Sequence, residues 1–383
     1  MTTLIVVLCI ILAVIVFLQI GKLTELTAKI RGEKNAQYAS NRWNSVLGMI
    51  FMIVFLLYCI ISAYDMKNYM LGFGPHSAAS EHGGALDSVF KITLFFTGIV
   101  FVITHVLLFW FTYKYHGKEG SKAKFISHDN KLEVIWTAVP AIVMTFLVVG
   151  GLNAWNKVMV DVKPDEKVLE VEATAYQFAW TLRYPGADGL LGTKNYKLIG
   201  GSNDIGQDWT DSKNYDDFKA DKLVLPVGQK VRIRIVARDV LHNFYLPQFR
   251  VKMDAVPGMP TYFVFTPVKT TEEYRAELKK YPEYNEPSDP KDPNGKKKWE
   301  TFEYELACAE LCGNGHFSMR REVKIVSQEE YNKWVSEQKS FYLTSIRNTD
   351  DDPNKGKKLA IDPVETVKDT TKVNVVEPVK EIK

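Results

Sequence analysis

Four long apolar stretches within the first 155 residues constrain the fold of this chain more than any other feature. They are "TLIVVLCIILAVIVFLQI" from Thr3, "VLGMIFMIVFLLYCIISAY" from Val46, "ITLFFTGIVFVITHVLLFWFTY" from Ile92 and "VIWTAVPAIVMTFLVVGGLNAW" from Val134. A helix needs roughly 20 mainly apolar residues to cross a bilayer core, and each stretch approaches that length. The sequence therefore predicts a helical membrane half with four spans. The first stretch has a second interpretation as a cleaved signal peptide, although no basic segment precedes it and no A-x-A site follows it.

The loops between these stretches predict how the helices are oriented. The 21–43 and 114–133 loops are rich in Lys and Arg, whereas the 65–88 loop holds only Lys67. Basic loops remain on the cytoplasmic side of a membrane. We therefore expect both termini, and everything after Trp155, on the outer side, which in a bacterium is the periplasm.

The outer half has the residue pattern of β structure. In "VLEVEATAY" from Val168 and in "KVRIRIV" from Lys230, apolar and polar residues alternate, which is typical of strands with one buried face. Short strands separated by turn residues predict an all-β sandwich or barrel of roughly 130 residues. The charged, Pro-rich 269–300 segment and the polar residues after about 340 are expected to be surface insertions or linkers.

A short run of sulfur and nitrogen donors stands out near the end of this half. In "ACAELCGNGHFSM" (307–319), Cys308 and Cys312 lie four residues apart and are followed by His316 and Met319. A disulfide between the two cysteines is one interpretation, because the compartment is oxidising, and zinc is another. Thiolate, imidazole and thioether together favour copper. His242, in "RDVLHNFYLPQF", is the expected ligand from a second strand.

These motifs together resemble a known family. "DVLHNFYLPQFRVKMDAVPG" (239–258) and "CAELCGNGHFSM", preceded by "LEVIWTAVPA" (132–141) and "YQFAW" (176–180), are similar to subunit II of haem-copper cytochrome c oxidases. The resemblance covers about 89–185, 220–266 and 301–338. It implies a cupredoxin-like β sandwich on the outer side and a dinuclear copper centre, CuA, which receives electrons from cytochrome c and passes them to haem a of subunit I.

The resemblance assigns copper ligands position by position. It implies bridging thiolates at Cys308 and Cys312, imidazoles at His242 and His316, a weak thioether at Met319 and a backbone carbonyl at Glu310. In the family the Glu310 side chain also reaches toward a magnesium ion at the boundary with subunit I, and Asp254 is expected to support that boundary. Without the resemblance, Glu310 would be interpreted as a solvent-facing residue and Asp254 as a turn cap.

The last membrane helix carries a further implied role. Its "E-x-x-W-T-x-x-P" pattern places Glu133 at the mouth of the family's K pathway for proton uptake; the alternative is a carboxylate that favours the helix dipole. His105, within the third span, has no family counterpart, and we expect it to be a hydrogen-bonded structural residue.

The region where electrons enter departs from the family pattern. The usual "Q-W-x-W" is replaced by Gln177, Phe178, Ala179 and Trp180, so the first tryptophan is missing. The chain also lacks C-x-x-C-H and therefore has no site for covalent haem. We expect a docked, dedicated cytochrome c type donor, held in a respiratory supercomplex, with the first two helices and the 269–300 segment as candidate contact surfaces.

The expected organisation follows from these motifs. Subunits I and III and the membrane are the expected partners, and no nucleic acid is expected. A copper-free structural subunit of a quinol oxidase is the main alternative function; soluble nitrous oxide reductase lacks the last helix motif. The predicted boundaries are 1–63 for two extra helices, 64–88 for an outer loop, 89–155 for the subunit II type hairpin, 156–340 for the CuA domain with insertions 186–219 and 269–300, and 341–383 for a polar tail.

Overall fold

The computed structural model describes residues 2–362, with side chains from residue 5 onward, and divides into two compact units. The first unit comprises residues up to Asp161 together with Pro247–Val251 and Phe265–Phe302. The second comprises Val162–Leu246, Lys252–Val264 and the described residues from Glu303. Each unit has its own core and is described separately.

Four long helices dominate the first unit. They are α1 (Thr2–Arg31), α2 (Glu33–Met66), α3 (Gly83–Lys114) and α4 (Asn130–Val158). All four are long and apolar enough to cross a membrane, so the prediction of four spanning helices is confirmed for the described residues. Gly32, whose φ of 79° suits glycine, is the single residue between α1 and α2. Asp129 caps α4, where its carboxylate accepts hydrogen bonds from the backbone N–H groups of Lys131 and Leu132.

Aromatic side chains hold α2 against α3. Gly48 on α2 leaves room for the ring of Phe109 on α3, because a Cβ atom there would lie 3.2 Å from Phe109 Cδ1. About two turns further along α2, Phe55 packs against His105 with ring centroids 5.7 Å apart. His105 Nδ1 lies 2.8 Å from the carbonyl oxygen of Phe101, one turn back on its own helix. These contacts agree with a structural role for this histidine.

The 269–300 segment belongs to the first unit and is firmly anchored there. It begins with α5 (Thr271–Leu278), which Thr270 and Glu273 start with a capping box, and Tyr274 and Leu278 on this helix are fully buried. Further along, the hydroxyl of Tyr284 lies 2.7 Å from His76 Nε2. Buried aromatic residues among the charges explain why this segment is packed and is not a free linker.

Ten strands form two sheets in the described part of the second unit. Val251 and Phe265, at the ends of two of these strands, are assigned to the first unit. The strands are β1 (Leu169–Tyr176), β2 (Ala179–Tyr184), β3 (Phe218–Ala220), β4 (Leu223–Pro226), β5 (Val231–Ala237), β6 (His242–Leu246), β7 (Val251–Ala255), β8 (Thr261–Phe265), β9 (Tyr304–Cys308) and β10 (Arg320–Val326). The first sheet has the order β3-β2-β1-β5-β8 and the second β4-β10-β9-β6-β7. β1 pairs in parallel with β5, and β10 in parallel with β4. The predicted β sandwich is confirmed.

Apolar residues at every second position of the strands form the core of the sandwich. Val171 and Ala173 of β1 and Ile233 and Ile235 of β5 are completely buried. The polar residues that alternate with them would ordinarily face water. Here only some of them do, since Glu172 is fully buried whereas Arg234 is about half-exposed.

The 186–219 segment and residues 341–362 cover that second face of the first sheet. Beneath the segment, Arg183 donates hydrogen bonds to Asp217 at 3.0 Å and to Asn214 at 2.9 Å, while Lys194 donates to Glu172 at 2.7 Å. Burial, the strongest influence on Asp217, raises the pKa of its carboxyl to about 7 in spite of Arg183. A polar network therefore replaces the water that would have covered this face.

Residues 341–362 complete this cover. Tyr342 is fully buried, its ring stacks on Tyr215 at 4.5 Å and packs against Trp209, and its hydroxyl donates to Asp352 at 2.7 Å. Arg347 pairs with Asp352 in turn. We expected a polar tail here, but its few aromatic residues make contacts that anchor it. Residues 363–383 of that predicted tail lie outside the described residues.

Candidate metal centre

Two neighbouring strands of the second sheet carry the first ligand candidates. His242 opens β6, and Cys308 closes β9, its antiparallel partner, so both residues lie at the same end of the pair. Cys312 follows in the next loop. The ligand atoms of these three buried residues all lie within 4.8 Å of one another. Cys308 Sγ is 3.9 Å from His242 Nδ1 and 4.0 Å from Cys312 Sγ.

The remaining predicted copper ligands lie at the same place. Cys312 Sγ is 3.6 Å from His316 Nδ1 and 3.5 Å from Met319 Sδ. The carbonyl oxygen of Glu310 lies 3.2 Å from Cys308 Sγ. The structure therefore brings together every residue for which a copper-binding role was predicted.

The two thiols are free, and their surroundings suit a metal ion. Burial, and then the neighbouring Cys308, raise the pKa of the Cys312 thiol to about 11. Two buried thiolates side by side would repel each other unless a cation neutralised them. Soft sulfur donors together with imidazoles form a set suited to copper, so the residues present fit the predicted group.

A carboxylate orients the first histidine. Asp239 Oδ1 lies 2.9 Å from His242 Nε2, which leaves Nδ1 turned toward Cys308. Asp239 also accepts a hydrogen bond from the backbone N–H of Gln177 at 2.7 Å. Partial burial opposes ionisation of this carboxyl, but the hydrogen bonds from Gln177 and His242 outweigh burial and lower the pKa of Asp239. A partner on the outer nitrogen of a metal-binding histidine fixes its ring orientation and raises its basicity.

Gln177 and Phe178 hold the loop between the cysteines and His316. The side-chain amide of Gln177 donates to the carbonyl oxygen of Cys312 at 2.5 Å. The Phe178 ring lies so close to the loop that a Cβ atom added at Gly315 would be 2.5 Å from Phe178 Cγ, and one at Gly313 would be 2.9 Å from the ring. A larger residue at either glycine of "CGNG" would therefore clash with the Phe178 ring. The sequence prediction did not include Asp239, Gln177 or these glycines as positioning residues, although the "D-V-L-H" spacing holds a signal for Asp239.

Comparisons with known proteins agree with this geometry. The profile for the transmembrane domain of cytochrome c oxidase subunit II matches residues 66–153, and the profile for its periplasmic domain matches 169–271. The alternative cytochrome c oxidase subunit 2 of Bradyrhizobium diazoefficiens is 32% identical over 299 residues, which cover 78% of this chain and 96% of the relative. The chain belongs to the cytochrome c oxidase subunit II family. Members of this family are subunits of an oxidase complex, and the resemblance predicted from the motifs is confirmed.

More distant relatives of this subunit II span similar lengths. The cytochrome c oxidase subunit 2 of Thermostichus vulcanus is 27% identical over 284 residues, which cover 67% of this chain and 76% of that protein. Among solved structures, the periplasmic domain of subunit II of cytochrome oxidase from Bradyrhizobium japonicum is 23% identical, covers 46% of this chain and 95% of its own, and gives a TM-score of 0.28. The transmembrane match begins at the last residue of α2, so α1 and nearly all of α2 precede it.

The other predicted site residues are Trp180 with Phe178, Asp254 and, in the first unit, Glu133. Trp180 is buried beside the candidate copper ligands, and the centroid of its ring lies 6.4 Å from that of the His242 ring. Phe178, in contrast, is 36% exposed. Asp254 accepts a hydrogen bond at 2.6 Å from Asn243, the residue after His242, and the carbonyl of Asn243 accepts one from the N–H of Ala309. Asp254 is thereby linked to the loop that carries Glu310.

Glu133 lies in the first turn of α4, within the first unit. Its carboxylate accepts a hydrogen bond at 3.4 Å from the N–H of Asp129, the helix cap, and lies 3.8 Å from His128 Nδ1. Glu133 therefore accepts a hydrogen bond from a backbone N–H group at the start of α4. Its carboxylate also places a negative charge where the helix dipole favours one. The hydrogen bond to Asp129 gives Glu133 a capping role at the start of α4. Its role in proton uptake remains a prediction.

Proposed function

We propose that this chain is the subunit through which electrons enter a cytochrome c oxidase. In this proposal it holds a dinuclear CuA centre, receives electrons from a cytochrome c type donor and passes them to haem a of subunit I, where oxygen is reduced and protons are pumped. The observation that carries the proposal is the convergence of two buried free thiols, two imidazoles and a thioether at one end of the β sandwich.

The ligands are assigned by their contacts. Cys308 and Cys312 would hold the metal as thiolates, His242 and His316 through Nδ1, Met319 through its sulfur and Glu310 through its carbonyl oxygen. Copper bound there would supply a one-electron redox couple. The chain itself keeps water away, since His242, Cys308, Cys312 and Met319 are all buried, and fixes the donor positions through Asp239, Gln177 and Phe178.

A rigid site supports fast electron transfer because little structure has to change when the charge changes. His242 and Cys308 are fixed by strand pairing, and the loop to His316 is fixed by the Phe178 ring. Copper held by these thiolates and imidazoles would supply the one-electron couple, and the fixed donor positions would limit the structural change that accompanies it. The short paths from these ligands to Trp180 and Phe178 make that corner of the domain the proposed place where electrons arrive.

Two further roles are proposed for carboxylates. Glu310 is half-exposed, and its side chain is therefore free to reach a magnesium ion at a boundary with subunit I, supported by Asp254 through Asn243. Glu133, at the start of α4, would lie at the mouth of a proton-uptake route on the cytoplasmic side. Subunits I and III are the proposed neighbours, and a bacterial inner membrane with the β domain in the periplasm is the proposed location.

The donor is proposed to be a dedicated one. Phe178 stands where the family usually has a tryptophan, and its ring is engaged with Gly313 and Gly315. A donor that docks permanently beside the oxidase would depend less on that exposed tryptophan than a soluble one does. If the purified oxidase without such a partner accepted electrons from soluble cytochrome c at full rate, a dedicated donor would be unnecessary.

The decisive experiment measures copper in the full-length purified chain. Wild type, Cys308→Ser and the matched control Cys59→Ser are reconstituted with copper, then examined for metal content, near-infrared absorption and electron paramagnetic resonance. We expect two coppers per chain with a multi-line signal in wild type and in the Cys59→Ser control, and loss of both in Cys308→Ser. A wild-type chain without copper and with both thiols oxidised would instead favour the copper-free, quinol-oxidase type of subunit.

A further inference from the structure

A cavity separate from the metal centre lies on the covered face of the first sheet. Its volume is about 410 Å³, within the range of small-molecule sites. Thr174 of β1 and Arg234 of β5 form its floor, and Lys194, Ile199 and Ile205 of the 186–219 segment form one wall. The cavity therefore exists because this segment crosses the sheet.

Three cationic side chains line the cavity: Lys194, Arg234 and Arg238. No aspartate or glutamate is among its lining residues, within the part of the chain that the structure describes. A cavity lined by cations and not by carboxylates attracts anions, and the attraction is strongest near Lys194, which is largely buried, whereas Arg234 is about half-exposed.

The protein itself compensates only part of this charge. Lys194 Nζ donates to Glu172 at 2.7 Å and to Thr174 at 3.1 Å, which leaves one of its three donor positions for another acceptor. Arg234 Nε reaches the same carboxylate only at 3.7 Å. Glu172 is shared with Arg183 as well, at 3.3 Å. Glu172 thus contacts three cations, of which Arg183 has Asp217 as a second partner, and burial together with Arg183 and Arg234 lowers the pKa of Lys194.

Arg238 is held in place by contacts that leave part of its guanidinium free. Its Nη1 donates to the carbonyl oxygen of Asp204 at 3.2 Å, and the guanidinium carbon lies 4.9 Å from the centroid of the Tyr176 ring. Neither contact brings a negative charge. A guanidinium has five donors, so its remaining N–H groups can bind a carboxylate or a similar group.

The opposite part of the lining is apolar. Ile199, Ile205 and Val236, together with Tyr196, contribute side chains there. Ile205 is almost fully buried, whereas Tyr196 is 77% exposed and lies at the opening. A ligand that satisfies both parts needs an anionic group at one end and a compact apolar body at the other.

We propose that this cavity binds a small organic anion of that kind, such as an aromatic or branched carboxylate. The anionic group would contact Lys194, Arg234 and Arg238, and the apolar body would pack against Ile199 and Ile205. The site is formed by the 186–219 segment, the first sheet and the nearby residues Arg238, Gly258 and Pro260. None of its lining residues is a proposed copper ligand, so it is independent of the proposed copper function.

A fluorinated carboxylate tests the proposal on the full-length chain in neutral detergent. The probe is 4-(trifluoromethyl)benzoate, followed by fluorine NMR, with the neutral 4-(trifluoromethyl)benzamide as a control for partition into micelles. Each charge-assisted hydrogen bond is worth about tenfold or more in affinity, so the carboxylate should bind at least about tenfold more tightly than the amide.

Three variants locate the binding. Arg234→Gln combined with Arg238→Gln should weaken binding of the carboxylate by about tenfold or more, and Ile199→Trp should weaken both probes by filling the cavity. Arg232→Gln is the matched control, since Arg232 lies two residues before Arg234 on β5 but pairs with Glu170 and Tyr262 outside the cavity. It should leave binding unchanged.

Two results would overturn the proposal. One is equal binding of the carboxylate and the amide, which would show partition into micelles only. The other is carboxylate binding that survives both the double Arg variant and Ile199→Trp, while the thermal unfolding midpoints show that the variants remain folded. Because none of these variants alters a copper ligand, a failure here would leave the copper spectrum of the chain intact.

Discussion

The metal centre and the covered face of the first sheet are both buried and polar, yet their polar groups have different kinds of partner. At the covered face Arg183 pairs with both Glu172 and Asp217. Burial disfavours the charge on Glu172, but Arg183 and Lys194 outweigh it and lower the pKa of this carboxyl. At the metal centre the donors face only one another, and the pKa of Cys312 is raised. The protein compensates the charges of the covered face with its own side chains, whereas the donors of the metal centre form a set that suits a metal ion.

The largest expected effect comes from breaking the internally paired network. Arg183→Met would leave the buried Glu172 with less compensation, and the loss of one partner of a buried ion pair costs about 3–5 kcal/mol. Chemical unfolding of the metal-free chain should detect this loss. Cys308→Ala, at the other site, should change the unfolding free energy of the metal-free chain much less. Equal losses in the two variants would contradict the comparison.

The metal centre should respond instead in copper affinity. Asp239→Asn removes the carboxylate on the outer nitrogen of His242, and loss of such a partner typically weakens metal binding by about 10–100-fold. Competition with a copper chelator measures the change. Asp204→Asn offers a control carboxylate in the same unit, paired with Lys219 and distant in sequence from the ligands, and should leave copper affinity unchanged.

Copper affinity should also rise with pH. Burial and Cys308 raise the pKa of Cys312 to about 11, so this thiol is protonated at neutral pH in the metal-free chain. The metal must displace that proton, and each proton released increases the apparent affinity by about tenfold per pH unit below the thiol pKa. Chelator titrations between pH 6 and 8 test the slope. An affinity that did not change between pH 6 and 8 would show that the thiols are already ionised in the metal-free chain.

The smallest expected effect concerns the residues that close the covered face. Tyr342→Phe keeps the ring stacked on Tyr215 but removes the hydroxyl that donates to Asp352, and a hydrogen bond to a charged group contributes about 1.5–3 kcal/mol. Arg347 and backbone N–H groups still bind Asp352, so the loss should fall at or below the low end of that range. Thermal unfolding measures it. The copper spectrum of this variant should match that of wild type.

Much of this architecture could be predicted from local patterns in the sequence. The four spans follow from apolar length alone, and β1 and β5 follow from alternation at every second residue. The cysteine motif and His242 combine thiol, imidazole and thioether donors, a set that is typical of copper sites. In each case the information lies within a stretch of about 20 residues or fewer.

The covered face could not be predicted in this way. Glu172 has the pattern of a solvent-facing strand residue, because alternation shows which residues share a face but not what covers it. The cover depends on Trp209 and Tyr342, which meet only through long-range packing. Asp239 and Gln177 are common polar residues whose positioning roles appear only once the strands bring them to the ligands.

The cover formed by residues 341–362 also has a consequence for biosynthesis. These residues follow every strand of the sandwich in the chain, so they cross the membrane after both sheets have become available to pair. Until they arrive, Trp209 and Tyr215 lack their partner Tyr342. If copper binds as proposed, the nascent chain could therefore bring its ligands together while the other face of the first sheet is still open.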